Sequence, residues 1–380
     1  MAAGVMAPRL IYLDGNSLGP PAPGTADALH ALVDEWEREL IGGWNRRWWD
    51  LPVTVGERIA PLVGAAPGQV VVGDSTTVLW FKLASAALRL RPDRRRIVTQ
   101  AGGFPTDRHV LDALDADVVA VAHDEIADAL DDRTAVLAVT HVDYRTGRRL
   151  DLASLTATAH DVGAVAVWDL SHSVGAMDLH LDRDGVDLAV GCTYKYLNGG
   201  PGSPAFAYVA ERHAAGLEQP IPGWVGHADP FSMSEVHIPA SGIRRLLSGT
   251  PAVLGLVALD HALDRFDGVD PADLRARSLA LSDRLIAGVE ALGLEAVAPR
   301  AHEERGSQVG LRFAHAWELG QALIAEGVIG DVRPPDLVRL GVAPLYSTDA
   351  DIEEALLRLA LVLETQAWSR WVDTARATVT

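Results

Sequence analysis

A single cysteine, Cys192, and only two lysines, Lys82 and Lys195, occur in the 380 residues of the chain. One thiol excludes an intrachain disulfide framework, and a reducing cytoplasm fits it. Lysine and arginine together number 33 against 51 acids, a net charge of −18. That balance speaks against sequence-independent nucleic-acid binding, which needs Lys and Arg to neutralise phosphates. The one short basic run, Arg91-Pro92-Asp93-Arg94-Arg95-Arg96, reads as a solvated turn between a helix and a strand. No apolar stretch approaches the ~18 residues that a membrane span needs. The start of the chain lacks the pattern of a secretory signal, and no internal repeat is visible. His123, His141, His160, His172 and His180 are scattered without ligand spacing, so no metal site is expected. A Gly-x-Ser-x-Gly elbow and an early Gly-x-Gly-x-x-Gly are both missing, which disfavours a Ser–His–Asp hydrolase and a Rossmann dehydrogenase.

What is present is a large apolar fraction, 48% against 22% charged, enough for one or two ordinary globular domains. A helix is predicted from a Thr25 cap, with Leu29, Leu32, Val33, Trp36 and Leu40 at helical spacing. From about residue 55, helices alternate with short apolar runs at 70–73, 96–99, 118–122, 135–140, 165–169, 188–191 and 205–209. Several runs are continuous, as in strands covered on both faces, so the class is α/β with a mainly parallel, doubly wound sheet. Ligands of such sheets sit beyond the carboxyl ends of the strands, where Thr140 and Asp169 fall. Thr250-Pro251 reads as a helix start, Thr capping and Pro in the first helical position. That helix should run to about Phe266 and bridge to a second domain, on which the amino-terminal forty residues are expected to pack.

The stretch 164–204 carries the chemistry. Asp169 ends an apolar run, His172 follows three residues later, and Lys195 stands 26 residues beyond Asp169 inside Tyr194-Lys195-Tyr196-Leu197-Asn198. Gly199, Gly200 and Gly202 come next. This order suits an enzyme that holds pyridoxal 5'-phosphate (PLP) as a Schiff base. The lysine forms the imine, and the aspartate keeps the pyridine nitrogen protonated so that the ring accepts electrons from a carbanion. The imine needs an unprotonated amine, hence a lysine in a buried or electropositive setting. Lys82 lies inside a helix starting near Thr76 and reads as a surface residue. Asp74-Ser75-Thr76-Thr77 joins a strand to that helix; its hydroxyls and free N–H groups suit a phosphate, although Walker-type glycines and lysine are missing. Phe104, in Phe104-Pro105-Thr106-Asp107, is a candidate to cover the ring face, and Arg339 a candidate clamp for a carboxylate.

In order along nearly the whole chain stand Leu13-Asp14-Gly15-Asn16-Ser17-Leu18-Gly19, Phe104-Pro105-Thr106-Asp107, Tyr144-Arg145-Thr146-Gly147, Trp168-Asp169-Leu170-Ser171-His172, Tyr194-Lys195-Tyr196-Leu197-Asn198, Gly223-Trp224-Val225-Gly226-His227, Glu304-Arg305-Gly306 and Val342-Ala343-Pro344-Leu345-Tyr346. Together they resemble the kynureninase family in its bacterial form, PLP enzymes of the fold-type-I aminotransferase superfamily (class V group). The resemblance implies a large PLP-binding domain at 45–250, with a seven-stranded, mainly parallel, doubly wound sheet. It implies a smaller α+β domain built from 1–44 and 251–380. Lys195 would hold PLP and Asp169 would pair with its ring nitrogen. Thr76, Thr77, Tyr194, Trp224 and Thr250 would line the phosphate, Trp224 and Thr250 coming from the partner subunit of a homodimer. Phe104 would stack on the ring, with Pro105, Thr106, Asp107, Thr140 and His172 nearby. Arg339 would bind the substrate α-carboxylate, while Ser17, Trp44 and Thr250 would face its aryl end.

The implied reaction is hydrolysis of the Cβ–Cγ bond of L-kynurenine to anthranilate and L-alanine, with 3-hydroxykynurenine as the alternative substrate. Its setting would be tryptophan catabolism or NAD-related metabolism in the cytoplasm. Tyr194 is the candidate for proton transfer to the β-carbon, and Trp44 with Thr250 points to the unhydroxylated substrate. Within the superfamily a cysteine desulfurase is disfavoured, since it needs a mobile nucleophilic cysteine and Cys192 ends a buried run. A class V aminotransferase stays open as the runner-up. A PLP-fold protein without turnover is opposed by Lys195, Asp169 and Arg339 together.

Overall fold

The computed structural model describes residues 9–372 and 374–376. Its strands are β1 (Ile11–Tyr12), β2 (Val70–Val72), β3 (Arg96–Gln100), β4 (Asp117–Val121), β5 (Thr134–Thr140), β6 (Val165–Asp169), β7 (Leu188–Gly191), β8 (Phe206–Val209), β9 (Glu295–Val297), β10 (Gln308–Arg312), β11 (Val328–Ile329), β12 (Asp331–Arg333) and β13 (Leu337–Gly341). Seven form one sheet in the order β2-β8-β7-β6-β5-β3-β4, all parallel except β8, which runs against both neighbours. The predicted runs match these strands to within a residue at each end.

The continuous apolar runs have a direct cause. Alternate residues of a strand face opposite sides. Leu137, Val139, Ala166 and Trp168 enter one core, while Val136, Ala138, Val165 and Val167 enter the other. Helix Thr76–Leu90 covers the second side with Leu79, Leu83, Ala84 and Ala87. Both faces are dry, so no polar alternation survives in β5 to β7. A second, antiparallel sheet, β12-β13-β10-β9, packs with helices Pro271–Ala291, Ala316–Ala325 and Asp349–Glu364 around a third core. β1 pairs in parallel with β11 beside it, and Asp14 bridges to Gly341 at the end of β13. The chain then crosses to the large sheet, where the Gly19 amide donates to the Tyr194 carbonyl at 2.7 Å. A Cβ at Gly19 would stand 2.3 Å from the Lys195 carbonyl, so this crossing needs glycine.

Several expectations require correction. Helix Thr25–Glu39 is capped by Gly24 in a left-handed conformation, and the Thr25 hydroxyl turns back to the Ala22 carbonyl. Only Leu32 of its apolar stripe is buried, and Trp36 and Leu40 face outward. Thr250-Pro251 does not begin a helix: the helix there is Val253–Leu263, entered through Ala252 without a side-chain cap, with a 3-10 turn on to Phe266. The basic run is the solvent-facing turn expected between helix and strand, and its arginines are engaged at its edges. Arg91 and Arg94 donate to the carbonyls of Gly163 and Val162, and Arg96 pairs with Asp117 and Asp131. No helix among the described residues is long and apolar enough to cross a membrane.

One buried acid ties the central strands to their helices. Asp187 accepts from the Ala166 amide, His160, His213 and Arg212 at 2.7–2.8 Å. Burial alone would raise its pKa, but these four donors outweigh burial and hold it far below the ordinary value. The stabilisation is therefore complete above the unfolded-state pKa of about 4 and fades as the pH falls below it. Asp187→Ala should lose about 3 kcal/mol in urea unfolding at pH 7. The gap from wild type should close as the pH drops below about 4.

Candidate active site

Lys195 sits in the turn after β7, and its Nζ lies 2.8 Å from His172 Nε2. His172 is buried; burial, then the nearby Lys195, Arg339 and Arg333 charges, push its pKa well below the ordinary value. The ring is therefore neutral. Its Nδ1–H donates to Gln308 Oε1 at 3.0 Å, which leaves the Nε2 lone pair for the lysine. Gln308 cannot turn over, because its amide donates to the carbonyls of Tyr144 (2.6 Å) and Asp143 (3.1 Å). Gln308 begins β10 of the smaller sheet and escaped the sequence reading, although it stands two residues beyond the Glu304-Arg305-Gly306 motif.

Asp169 ends β6, in register with Thr140 at the end of β5. One carboxylate oxygen accepts the Ser171 amide at 2.7 Å; the other takes no hydrogen bond from the described residues. Burial raises the Asp169 pKa against the pull of Ser171 and Lys195. Asp107, which accepts the Thr140 hydroxyl at 3.1 Å, is raised further by burial and by Asp169 itself. Two acids and one amine thus face each other across a cavity of about 90 Å³. Thr76, Thr77, Phe104, Thr106, Tyr144, His172 and Tyr194 also line it.

The donor set fits PLP. An open oxygen on a buried carboxylate suits a pyridinium N–H, which would remove the cost of burying it. At the other end, Ser75 caps helix Thr76–Leu90 by accepting the Val78 amide, so Thr76 and Thr77 offer unpaired amides and hydroxyls to a phosphate. Phe104 is exposed at the start of helix Pro105–Asp112, edge-on to Tyr144 at 5.5 Å between ring centroids. Pro105 is the first helical residue and does not itself line the cavity.

Arg339, on β13, is only 1% exposed. Its Nε donates to Asp331 at 2.7 Å, its Nη2 to Asp331 and to the Ser17 hydroxyl (3.0 Å), and its Nη1 to the Tyr144 carbonyl. Ser17, expected at the aryl end, thus lies on the arginine cluster. Trp44, Trp224 and Thr250 do not line the Lys195 cavity of their own chain. Trp224 is exposed and packs on Trp49 and Phe231. Trp44 lines a separate apolar groove of about 480 Å³ with Leu32, Trp36, Trp48 and residues 251–255, and Thr250 is exposed just before that segment.

Lys82 is fully buried, contrary to the surface reading, because residues 246–248 lie on its ammonium. Its ammonium donates to Asp74 Oδ2 (2.5 Å), the Leu246 carbonyl (2.8 Å) and the Ser248 hydroxyl (2.6 Å). It ties the turn before Thr76 to the segment that leads into Thr250. Cys192 is buried, and burial pushes its thiol pKa up, which is unsuited to a nucleophile. Among the described residues no three His, Cys, Asp or Glu side chains gather as metal ligands.

Residues 274–359 match the family model for the kynureninase C-terminal domain. The chain is 47% identical to the kynureninase of Deinococcus radiodurans, over 93% of this chain and 90% of that one. It is 44% identical to the kynureninase of Burkholderia pseudomallei, over 98% and 93%. Among solved structures it resembles the cystine C-S lyase C-DES bound to cysteine persulfide (TM-score 0.80, 17% identity, 93% of this chain and 97% of that one). It also resembles a cysteine desulfurase from Thermococcus onnurineus (TM-score 0.79, 16% identity, 94% and 95%). At such identities the likeness is one of fold.

Lys82→Met should cost about 3 kcal/mol in urea unfolding, since it strands Asp74 beside a buried methyl group. The variant should also shed PLP faster than wild type on gel filtration. Undiminished PLP retention would show that the 74–77 turn holds its shape without the lysine.

Proposed function

The chain belongs to the kynureninase family, and from that premise we propose that the Lys195 cavity is where this PLP-dependent hydrolase cleaves L-kynurenine to anthranilate and L-alanine. The observation that carries the reading is the pairing of one cavity lysine with the open oxygen of buried Asp169. Lys195 would hold PLP, which when bound would supply an electron sink for negative charge at the substrate α-carbon.

The chain's own groups do the rest. Asp169 holds the ring nitrogen in its cationic form. Thr76, Thr77 and Tyr194 receive the phosphate, Phe104 covers the ring, and Thr106, Asp107 and Thr140 close the rim. Arg339 takes the α-carboxylate through its planar fork. The Lys195 amine is the group placed to take the α-proton, and neutral His172 holds that amine in place. The Tyr194 phenol stays protonated, since burial and then Cys192 raise its pKa, and it is assigned proton delivery to the β-carbon.

Trp224 and Thr250 are assigned to the partner's site in a homodimer. Their exposure supports this, as do the exposed apolar residues beside them: Phe231 against Trp224, and Trp36 and Leu254 in the groove that follows Thr250. Trp44 and Thr250 at the aryl end favour L-kynurenine over its 3-hydroxy analogue. We assign residues 45–250 to the large domain and 1–44 with 251–380 to the smaller one. The cytoplasm is the assigned setting, where the thiol of Cys192 stays reduced.

The test is anthranilate fluorescence with purified holoenzyme, running 3-hydroxykynurenine alongside. Lys195→Ala should abolish both product and the imine absorbance. Arg339→Lys keeps the charge but loses the fork, so KM should rise on the order of tenfold with a smaller change in kcat. Wild-type KM in that variant would remove Arg339 from the carboxylate.

A further inference from the structure

Around Arg339 the chain gathers two cations, Arg339 and Arg333, and two anions, Asp331 and Asp14. Asp331 is fully subscribed: both edges of its carboxylate meet Arg339, while Arg333 (2.7 Å) and the Ser17 hydroxyl share Oδ2. Asp14 is not. Its Oδ1 is buried and has no hydrogen-bond partner among the described residues.

The geometry also limits how a third carboxylate can enter. The Nε edge of Arg339 belongs to Asp331, so an incoming carboxylate must use the Nη1–Nη2 edge, now shared by the Tyr144 carbonyl and Ser17. Two guanidinium groups would then face three carboxylates. An excess negative charge in a buried cluster is costly unless a proton joins it.

Given the assignment of Arg339 as the carboxylate clamp, on which the inference rests, we propose that Asp14 is the proton acceptor of the carboxylate subsite. It binds one proton from solvent at its unpartnered oxygen as an α-carboxylate docks on Arg339. The oxygen can carry that proton without surrendering a hydrogen bond, which Asp331 cannot do. The groups facing Asp14 are Tyr12 on β1, Asp331 and Arg333 on β12, Arg339 on β13, Ser17 in its own turn, and Tyr196 and Tyr346 from the flanking loops. Burial, then Asp331, already raise its pKa to about 7 in the free protein. Below that pH the proton is in place before docking. Above it, docking must draw a proton in, and affinity should fall by up to about tenfold per pH unit.

The experiment titrates holoenzyme with L-alanine, which carries the carboxylate and amine but has no bond to cleave. Binding is followed by cofactor absorbance, and proton uptake by an indicator dye in lightly buffered solution at pH 8. The expected result is about one proton fewer taken up per bound alanine in Asp14→Asn than in wild type. The decline in wild-type affinity from pH 7 to 8.5 should flatten in the variant. Should Asp14→Asn not fold, Asp14→Ser carries the same comparison. Equal proton counts in wild type and variant would overturn the proposal, as would a flat wild-type affinity across that range. No response to alanine in wild type would remove Arg339 from the carboxylate, and the proposal with it. Absence of anthranilate from L-kynurenine, with the proton difference intact, would refute only the substrate assignment.

Discussion

The carbonyl of Tyr144 receives hydrogen bonds from both Gln308 and Arg339, and the whole site hangs on that shared acceptor. From it one path runs through Gln308 and His172 to the Lys195 amine; the other runs through Arg339 to Asp331 and Ser17. The carbonyl belongs to a loop after β5, whereas Gln308 and Arg339 belong to β10 and β13 of the other sheet. A backbone acceptor cannot titrate or change rotamer. The side chains that position the reacting amine and the carboxylate anchor therefore share one main-chain reference point.

That loop is itself pinned. Arg145 donates to the Pro334 carbonyl, and the Gly306 amide to the Gly147 carbonyl. Gly147 has a φ of +67°, and a Cβ there would stand 2.7 Å from the Gln308 carbonyl. The Tyr144-Arg145-Thr146-Gly147 motif is thus a clamp between two sheets. The amino-terminal segment does the same from the opposite side. It starts beside β11, bridges to β13, and lands on the Lys195 loop at Gly19. Substrate chemistry, cofactor support and sheet packing share one set of backbone contacts.

Charge is managed locally inside a strongly acidic chain. Three acids near the site, Asp14, Asp107 and Asp169, have pKa values raised chiefly by burial. Asp187, buried like Asp169, is depressed because the polypeptide itself supplies its donors. The contrast is one of hydrogen-bond supply: Asp187 has four donors, whereas Asp107 and Asp169 each have one and Asp14 Oδ1 has none among the described residues.

Much of this was legible in one dimension. Strand positions follow from continuous apolar runs, because burial on both faces leaves its mark on every residue of β5 to β7. Asp169, His172 and Lys195 are legible because their chemistry needs those residue types just beyond strand ends, and strand ends are local features. Gln308, the burial of Lys82, the company of Ser17 and the open oxygen of Asp14 are of another kind. Each depends on which distant segment covers it: Lys82 reads as a surface lysine until residues 246–248 lie on it. An amide, a lysine and a carboxylate look the same in sequence whether solvated or sealed. Hydrogen-bond saturation is a property of tertiary contact, so only the folded chain decides which polar groups are satisfied and which are left for a ligand.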